Sequence, residues 1–288
     1  MKLENLFNKQ KTAPTDSLSR ATRKIIEKLA KKDPKAASSL SGIELFTKSE
    51  EAALQSAKAI SRYDVDAARY IASGLKDIAK KTEDKDAVIG AAKAISRYDG
   101  NAARDIALGL SRVALNTGNK NKIINAARMM SLDEILNAGI KTGFEELTQL
   151  AAYIEDKDAV IGAAKVISKY DGDAARYIAS ELKDIAEKTE DKDAVIGAAK
   201  AISKYDGDAA RYIAWGLKDI AMYGDGKSIR IACRIVDLVG ADALDLLGAE
   251  DFVKIRKKKL EDLIDDKESF DAVAAYCIFV FNVCCKLC

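Results

Sequence analysis

The chain has 288 residues, 48% of them hydrophobic and 32% charged, and its 47 Lys and Arg side chains nearly cancel 45 Asp and Glu, for a formal net charge of +2. That balance excludes a global field favouring nucleic acid or an anionic membrane surface. Histidine is absent from the sequence, which removes the commonest acid–base group near neutral pH and the commonest metal ligand.

In chain order, the first residues, MKLENLFNKQK, lack an apolar core segment and are not expected to act as a signal peptide. Both prolines, Pro14 and Pro34, lie near the N-terminus, so everything beyond Pro34 is free to be helical. Residues 17–46 read as a polar capping hairpin, SRATRKIIEKLAKK followed by PKAASSLSGIELF. From residue 49 onward one segment recurs. The string EDKDAVIGAAKVISKYDGDAARYIASELKDIA at 155 is followed by EDKDAVIGAAKAISKYDGDAARYIAWGLKDIA at 190, with a third copy from 83 and a more diverged one over 49–82. Ser61, Ser96, Ser131, Ser168 and Ser203 mark the register, at separations of 35, 35, 37 and 35 residues. A fixed period in this range means stacked supersecondary units.

The unit starting at 190 reads as a helical hairpin. Asp191 or Asp193 is placed to cap a first helix, whose apolar face is Val195, Ala198, Ala199, Ile202 and Tyr205, widened by Gly197 and Ala201. Tyr205, Asp206, Gly207 and Asp208 break the pattern as a turn, with Gly207 suited to positive φ and Asp208 to capping the next helix. The second helix should bury Ala210, Ile213, Ala214, Leu217, Ile220 and Ala221 and present Arg211, Tyr212, Trp215, Lys218 and Asp219 outward. A hairpin of this size cannot bury its own apolar face, so stacked neighbours must. Residues 119–154 form a degenerate unit, in which KIINAARMMS aligns with AVIGAAKAIS, and 228–263 form another diverged one. The expected architecture is an all-α, right-handed α-α superhelix, a solenoid of about seven hairpins. Its divisions are an N-terminal segment and capping hairpin (1–48), a repeat array (49–270, with units near 49–82, 83–118, 119–154, 155–189, 190–224 and 225–270) and an apolar, Cys-rich tail (271–288).

The turn-plus-helix string at 206–211, DGDAAR, resembles HEAT-type repeats, which carry an Asp-x-Asp turn and an Arg early in the second helix. The matching positions are Asp64, Asp66 and Arg69; Asp99 and Arg104, with Asn101 between; and Asp171, Asp173 and Arg176. The resemblance covers roughly residues 49–263. It departs from the family in an Asp-to-Arg spacing one residue shorter and in the missing turn proline. It implies a HEAT/armadillo-like solenoid whose aspartates and arginines ladder between units. It also implies a binding scaffold, with a minority of such folds binding or acting on DNA or attaching chromophores.

The candidate contact residues are the recurring outward pairs Arg69/Tyr70, Arg176/Tyr177 and Arg211/Tyr212, with Arg104/Asp105 between, and Trp215, the single tryptophan. Arg, Tyr and Trp are favoured hot-spot types. A structural role competes: the arginines would pair with turn aspartates of neighbouring units, and the tyrosines would cover the seams. Trp215 stands where its sister copies have Ser73, Leu108 and Ser180, so it serves either a partner or the diverged repeat that follows. The KIRKKK run at 254–259 is placed to touch phosphates, but Glu261, Asp262, Asp265 and Asp266 dilute it into a solvated helix face. The tail at 272–288 is too short in apolar residues for an ordinary span and suits a final helix covering the stack, with membrane contact left open. Zinc binding by Cys277, Cys284, Cys285 and Cys288 fits poorly with adjacent cysteines and hydrophobic flanks, and Lys286 spoils the CKLC prenylation box. The cysteine pattern is no disulfide framework and fits a reducing cytoplasm.

No phosphate loop, nucleophile elbow or metal-binding helix motif occurs, so neither catalysis nor a cofactor is expected. The expected function is non-catalytic protein–protein interaction along the inner face of the array, centred on Trp215, Tyr212, Arg211 and Tyr177, with Arg176, Tyr70 and Arg69 extending it. The alternative is a HEAT-like nucleic-acid binder using the recurring Arg and Lys side chains.

Overall fold

Aspartate, asparagine or serine stands just before most helices, where the first backbone amides lack intrahelical partners. In the computed structural model, which describes residues 20–130 and 144–240 together with 132, 135, 138 and 139, these caps set off thirteen helices and no strand among the described residues. The chain divides into two compact units, Met1–Glu155 and Asp156–Cys288. The second begins at the start of a near-identical repeat. The segments 1–19, 254–259 and 271–288, with the second half of the last expected unit, lie outside the described residues.

In the first unit, α1 (Arg20–Lys32) and α2 (Pro34–Thr47) form the expected leading hairpin, with Asp33 capping α2 and Pro34 at its first position. There follow α3 (Glu50–Ile60), α4 (Val65–Thr82), α5 (Lys85–Ile95), α6 (Gly100–Thr117), α7 (Lys120–Met129) and α8 (Phe144–Tyr153). Alternate helices lie side by side: α1, α3, α5 and α7 form one row, and α2, α4, α6 and α8 the other. The second unit repeats the scheme, with α9 (Lys157–Ile167), α11 (Lys192–Ile202) and α13 (Gly226–Val239) in one row and α10 (Gly172–Thr189) beside α12 (Gly207–Tyr223) in the other. The core between rows is alanine, isoleucine, leucine and valine. Every predicted core residue of the unit at 190 is buried except Tyr205 and Gly197: Val195, Ala198, Ala199, Ala201, Ile202, Ala210, Ile213, Ala214, Leu217, Ile220 and Ala221.

Full burial of an Ile or Leu side chain contributes about 1.5–3 kcal/mol, so this core dominates stability. Polar contacts set the register. Tyr63 Oη, in the turn after the first helix of its repeat, lies 2.7 Å from the Ile95 carbonyl oxygen and 3.1 Å from that of Tyr98, at and just beyond the C-terminal end of the next first helix. Tyr170 does the same to Ile202 (2.8 Å) and Tyr205 (3.1 Å), and Tyr205 Oη donates to the Val236 carbonyl at 3.2 Å. The tyrosine read from sequence as part of an apolar face is thus a latch whose hydroxyl reaches carbonyls at the end of the next repeat's first helix. Burial pushes the Tyr63 and Tyr170 hydroxyls up from their ordinary range, so they remain donors.

The cap aspartates also have two tasks. Asp84 Oδ1 accepts from the Asp86 and Ala87 amides, while Oδ2 meets Lys120 Nζ at 2.9 Å. Asp156 caps Ala159 and pairs with Lys192 at 3.0 Å, and Asp191 caps its helix and pairs with Arg230. Partial burial pushes Asp84 up, but the Lys120 amine and the two amides outweigh it and hold the carboxyl below its ordinary range. The second-helix cap differs from expectation: Asp206, not Asp208, accepts from Ala209, and Asp208 is fully exposed. A cap must precede the first helical residue, and that residue is Gly207. Positive φ is used by Gly172 (53°) in the matching turn, and not by Gly207. No helix among the described residues is long and apolar enough to cross a membrane.

Candidate functional site

The second helices position all of the predicted contact residues. In the first unit, Arg69 does not face outward alone: its Nε lies 3.3 Å from Asp33 Oδ2, on an aspartate only 3% exposed that caps α2. Tyr70 is exposed, and the Arg104 guanidinium of the following repeat lies over its ring at 5.8 Å. Arg104 also pairs with Asp105 at 3.6 Å. In the second unit the same stacking recurs, with the Arg211 guanidinium 5.2 Å from the centre of the Tyr177 ring. Arg211 also reaches Asp208 at 3.7 Å, and Arg176 reaches Asp173 at 4.0 Å, each within its own helix. The recurring Arg therefore ties adjacent second helices through the preceding tyrosine, as Arg104 and Arg211 do, or through a cap aspartate, as Arg69 does.

Trp215 is 43% exposed, and its ring is tilted 45° to that of Tyr212 with centres 6.1 Å apart. About two turns further along α12, Met222 (51%) and Tyr223 (58%) are also exposed. At helical spacing Tyr212, Trp215, Asp219, Met222 and Tyr223 share one face. The matching residues of α4 are Ser73, Lys80 and Lys81, and of α10 Ser180, Glu187 and Lys188, so α12 has exchanged polar side chains for apolar ones. Sequence reasoning singled out Trp215 but missed Met222 and Tyr223. Their signal lay in the same comparison between copies.

It also missed Glu181. In the first unit the matching residues are Gly74 and Gly109, where helices meet closely: a Cβ at Gly74 would stand 2.8 Å from the Ala107 carbonyl oxygen, and one at Gly109 2.8 Å from Thr148 Cβ. On α10 this position carries a carboxylate, 8% exposed, in the seam facing α12. Its Oε2 is buried without a hydrogen-bond partner among the described residues. Lys218 Nζ stands 3.9 Å from that oxygen but donates to Asp219 at 2.9 Å. Burial pushes the Glu181 carboxyl above its ordinary range; Lys218 opposes this, and Asp184 and Asp219 reinforce it. Burial likewise pushes the Tyr177 hydroxyl up, with the Glu181 charge adding to it.

Cys233 is buried and free, and burial pushes its thiol up to about 12, which makes it a packing group rather than a nucleophile. No group of three or more metal-ligating side chains occurs among the described residues. The candidate cysteines Cys277, Cys284, Cys285 and Cys288 lie outside them, as does any membrane contact of the tail. No protein-family model matches the chain, and no curated protein matches it.

Proposed function

We propose that the chain is a cytoplasmic, non-catalytic scaffold, a HEAT-like right-handed solenoid of helical hairpins, whose α12 face binds a protein partner. The repeat period and the side-by-side rows of alternate helices support the solenoid. One observation carries the binding site. The consecutive repeats 155–189 and 190–224 differ at six of 35 positions, and five of the six lie between 180 and 189 in the first copy, on the second helix. Those changes place Trp215, Met222 and Tyr223 in solvent where the sister helix has Ser180, Glu187 and Lys188. Architecture would ask for the same residues in both copies unless the diverged repeat that follows packed on them, and all three of these side chains are exposed. A contiguous exposed aromatic and Met surface is what a partner requires, because rigid aromatics give large contact area at low entropy cost.

The engagement of Arg69, Arg104 and Arg211 with Asp33, Tyr70 and Tyr177 favours protein over nucleic acid, since those cations already have partners within the fold. The test is a pull-down with the full chain against the Trp215→Ser variant, which restores the residue of α4 and α10. The variant should fold as the parent does by circular dichroism while its partner binds more weakly by about 2 kcal/mol or more. Unfolding of the variant, or undiminished binding, would overturn the assignment. A strongly salt-dependent affinity for duplex or single-stranded nucleic acid would favour the rival.

A further inference from the structure

We propose that the partner of the α12 face carries a lysine or arginine side chain beside an apolar residue, and that Glu181 in the α10–α12 seam receives the basic group. This rests on the protein-binding function proposed above. A carboxylate oxygen buried without a donor is costly, and the matching positions of α4 and α6 hold glycine instead. Here it is kept, on the helix that packs against the one bearing Trp215.

The local cations do not discharge it. Lys218 donates to Asp219, Lys183 pairs with Asp184 and approaches Glu187 at 4.0 Å, and Arg211 lies over Tyr177. Asp184 and Asp219 act on this carboxylate in the opposite sense to Lys183 and Lys218. Oε2 is thus an acceptor whose hydrogen-bonding capacity is unused. Lys218 is the cation nearest to it, at 3.9 Å. It can swing outward while keeping its bond to Asp219, because its side chain is partly exposed. An incoming ammonium or guanidinium would then make a charge-assisted bond to Oε2 in a partly desolvated seam, where such bonds are stronger than in water. Apolar atoms next to that cation would rest on Trp215 and Tyr212.

The experiment selects a displayed library of random short peptides on the intact chain and on its Glu181→Gln and Trp215→Ser variants. Enriched peptides are then measured by the emission of Trp215, the single tryptophan, on the parent and on Glu181→Gln. Peptides enriched on the parent should pair Lys or Arg with an apolar neighbour. Glu181→Gln, which keeps the shape of the side chain, should lose the basic preference, keep the apolar one, and bind the best basic peptide about tenfold more weakly or worse. Trp215→Ser should lose the apolar preference. Enrichment without basic residues, or a basic preference that survives Glu181→Gln, overturns the role of Glu181 and leaves the binding face standing. Enrichment of acidic peptides has the same result. Failure to enrich any peptide, or enrichment unchanged by Trp215→Ser, overturns the face as well.

Discussion

The α4–α6 pair and the α10–α12 pair come from copies of one repeat, with the degenerate α8 closing the first row, yet their seams differ in kind. In the first, Gly74 and Gly109 let the helices meet backbone to backbone, with no room for even a methyl group. In the second, the matching position holds a buried glutamate with an unused oxygen, and the adjacent outer face is aromatic. The first seam is optimised for contact and the second is not. Where two copies of one unit sit in equivalent surroundings, packing asks for the same residue in both. The copy that gives up close packing for a buried charge has been shaped by something other than packing. This contrast, more than any single exposed side chain, sets the α10–α12 pair apart within the described chain.

The largest expected effect breaks the tight seam. Gly109→Ala puts a methyl group 2.8 Å from Thr148 Cβ and 2.9 Å from the Glu145 carbonyl oxygen, and a backbone carbonyl cannot move without separating α6 from α8. Alanine is the better helix former by about 1 kcal/mol, but overpacking of this kind costs about 1–3 kcal/mol. Net destabilisation is therefore expected in urea unfolding. A stabilised Gly109→Ala variant would show that the close approach is not what holds the glycine there.

The loose seam is probed by pH. Burial raises the Glu181 carboxyl above its unfolded value, so its folded form is favoured while it is protonated. That contribution is fully present below the ordinary glutamate range near about 4.3, and it is lost as pH rises through the raised folded value. Glu181→Gln has no such titration. The parent should therefore be closest to, or ahead of, the variant in acid, and should fall behind it as pH rises toward neutrality. Asp84 and Asp156, held below their ordinary range by amides and by Lys120 and Lys192, titrate in the opposite sense but equally in both proteins, so the difference between them isolates Glu181. Parallel stability curves for parent and variant would mean that the carboxylate is not burdened by its seam.

Much of this was legible in the sequence. The period, the helical faces and the first-helix caps follow from Ala, Ile and Val spacing and from aspartate placement, all of which act within one repeat. What acts between repeats was harder to read. Tyr205 was assigned to a core face because its spacing fits, but its hydroxyl reaches a carbonyl 31 residues away, which no local pattern encodes. The spacing of Arg69 leaves open an outward contact or a pair with a turn aspartate of the neighbouring unit, and Asp33, 36 residues back, is such an aspartate. Glu181 is an instructive miss. A lone Glu on a charged helix looks solvated, and only its alignment with Gly74 and Gly109 reveals that it occupies a position reserved for close packing.

A final and smallest effect tests how far the two regions are otherwise alike. Gly90 in α5 and Gly162 in α9 occupy the same position of their repeats, and a Cβ added at either would meet nothing within 4 Å. Neither has positive φ, so neither conformation requires glycine. Gly90→Ala and Gly162→Ala should each stabilise the chain by about 1 kcal/mol, chiefly by reducing the entropy lost on folding. At Gly197, the third copy, a Cβ would reach ordinary contact with Cys233 Sγ at 3.6 Å, so Gly197→Ala should gain at least as much. Equal gains at 90 and 162 would confine the difference between the two regions to their second helices. A gain at Gly90 with a loss at Gly162 would instead show that the first helices have diverged as well, and that the contrast is not particular to the α10–α12 face.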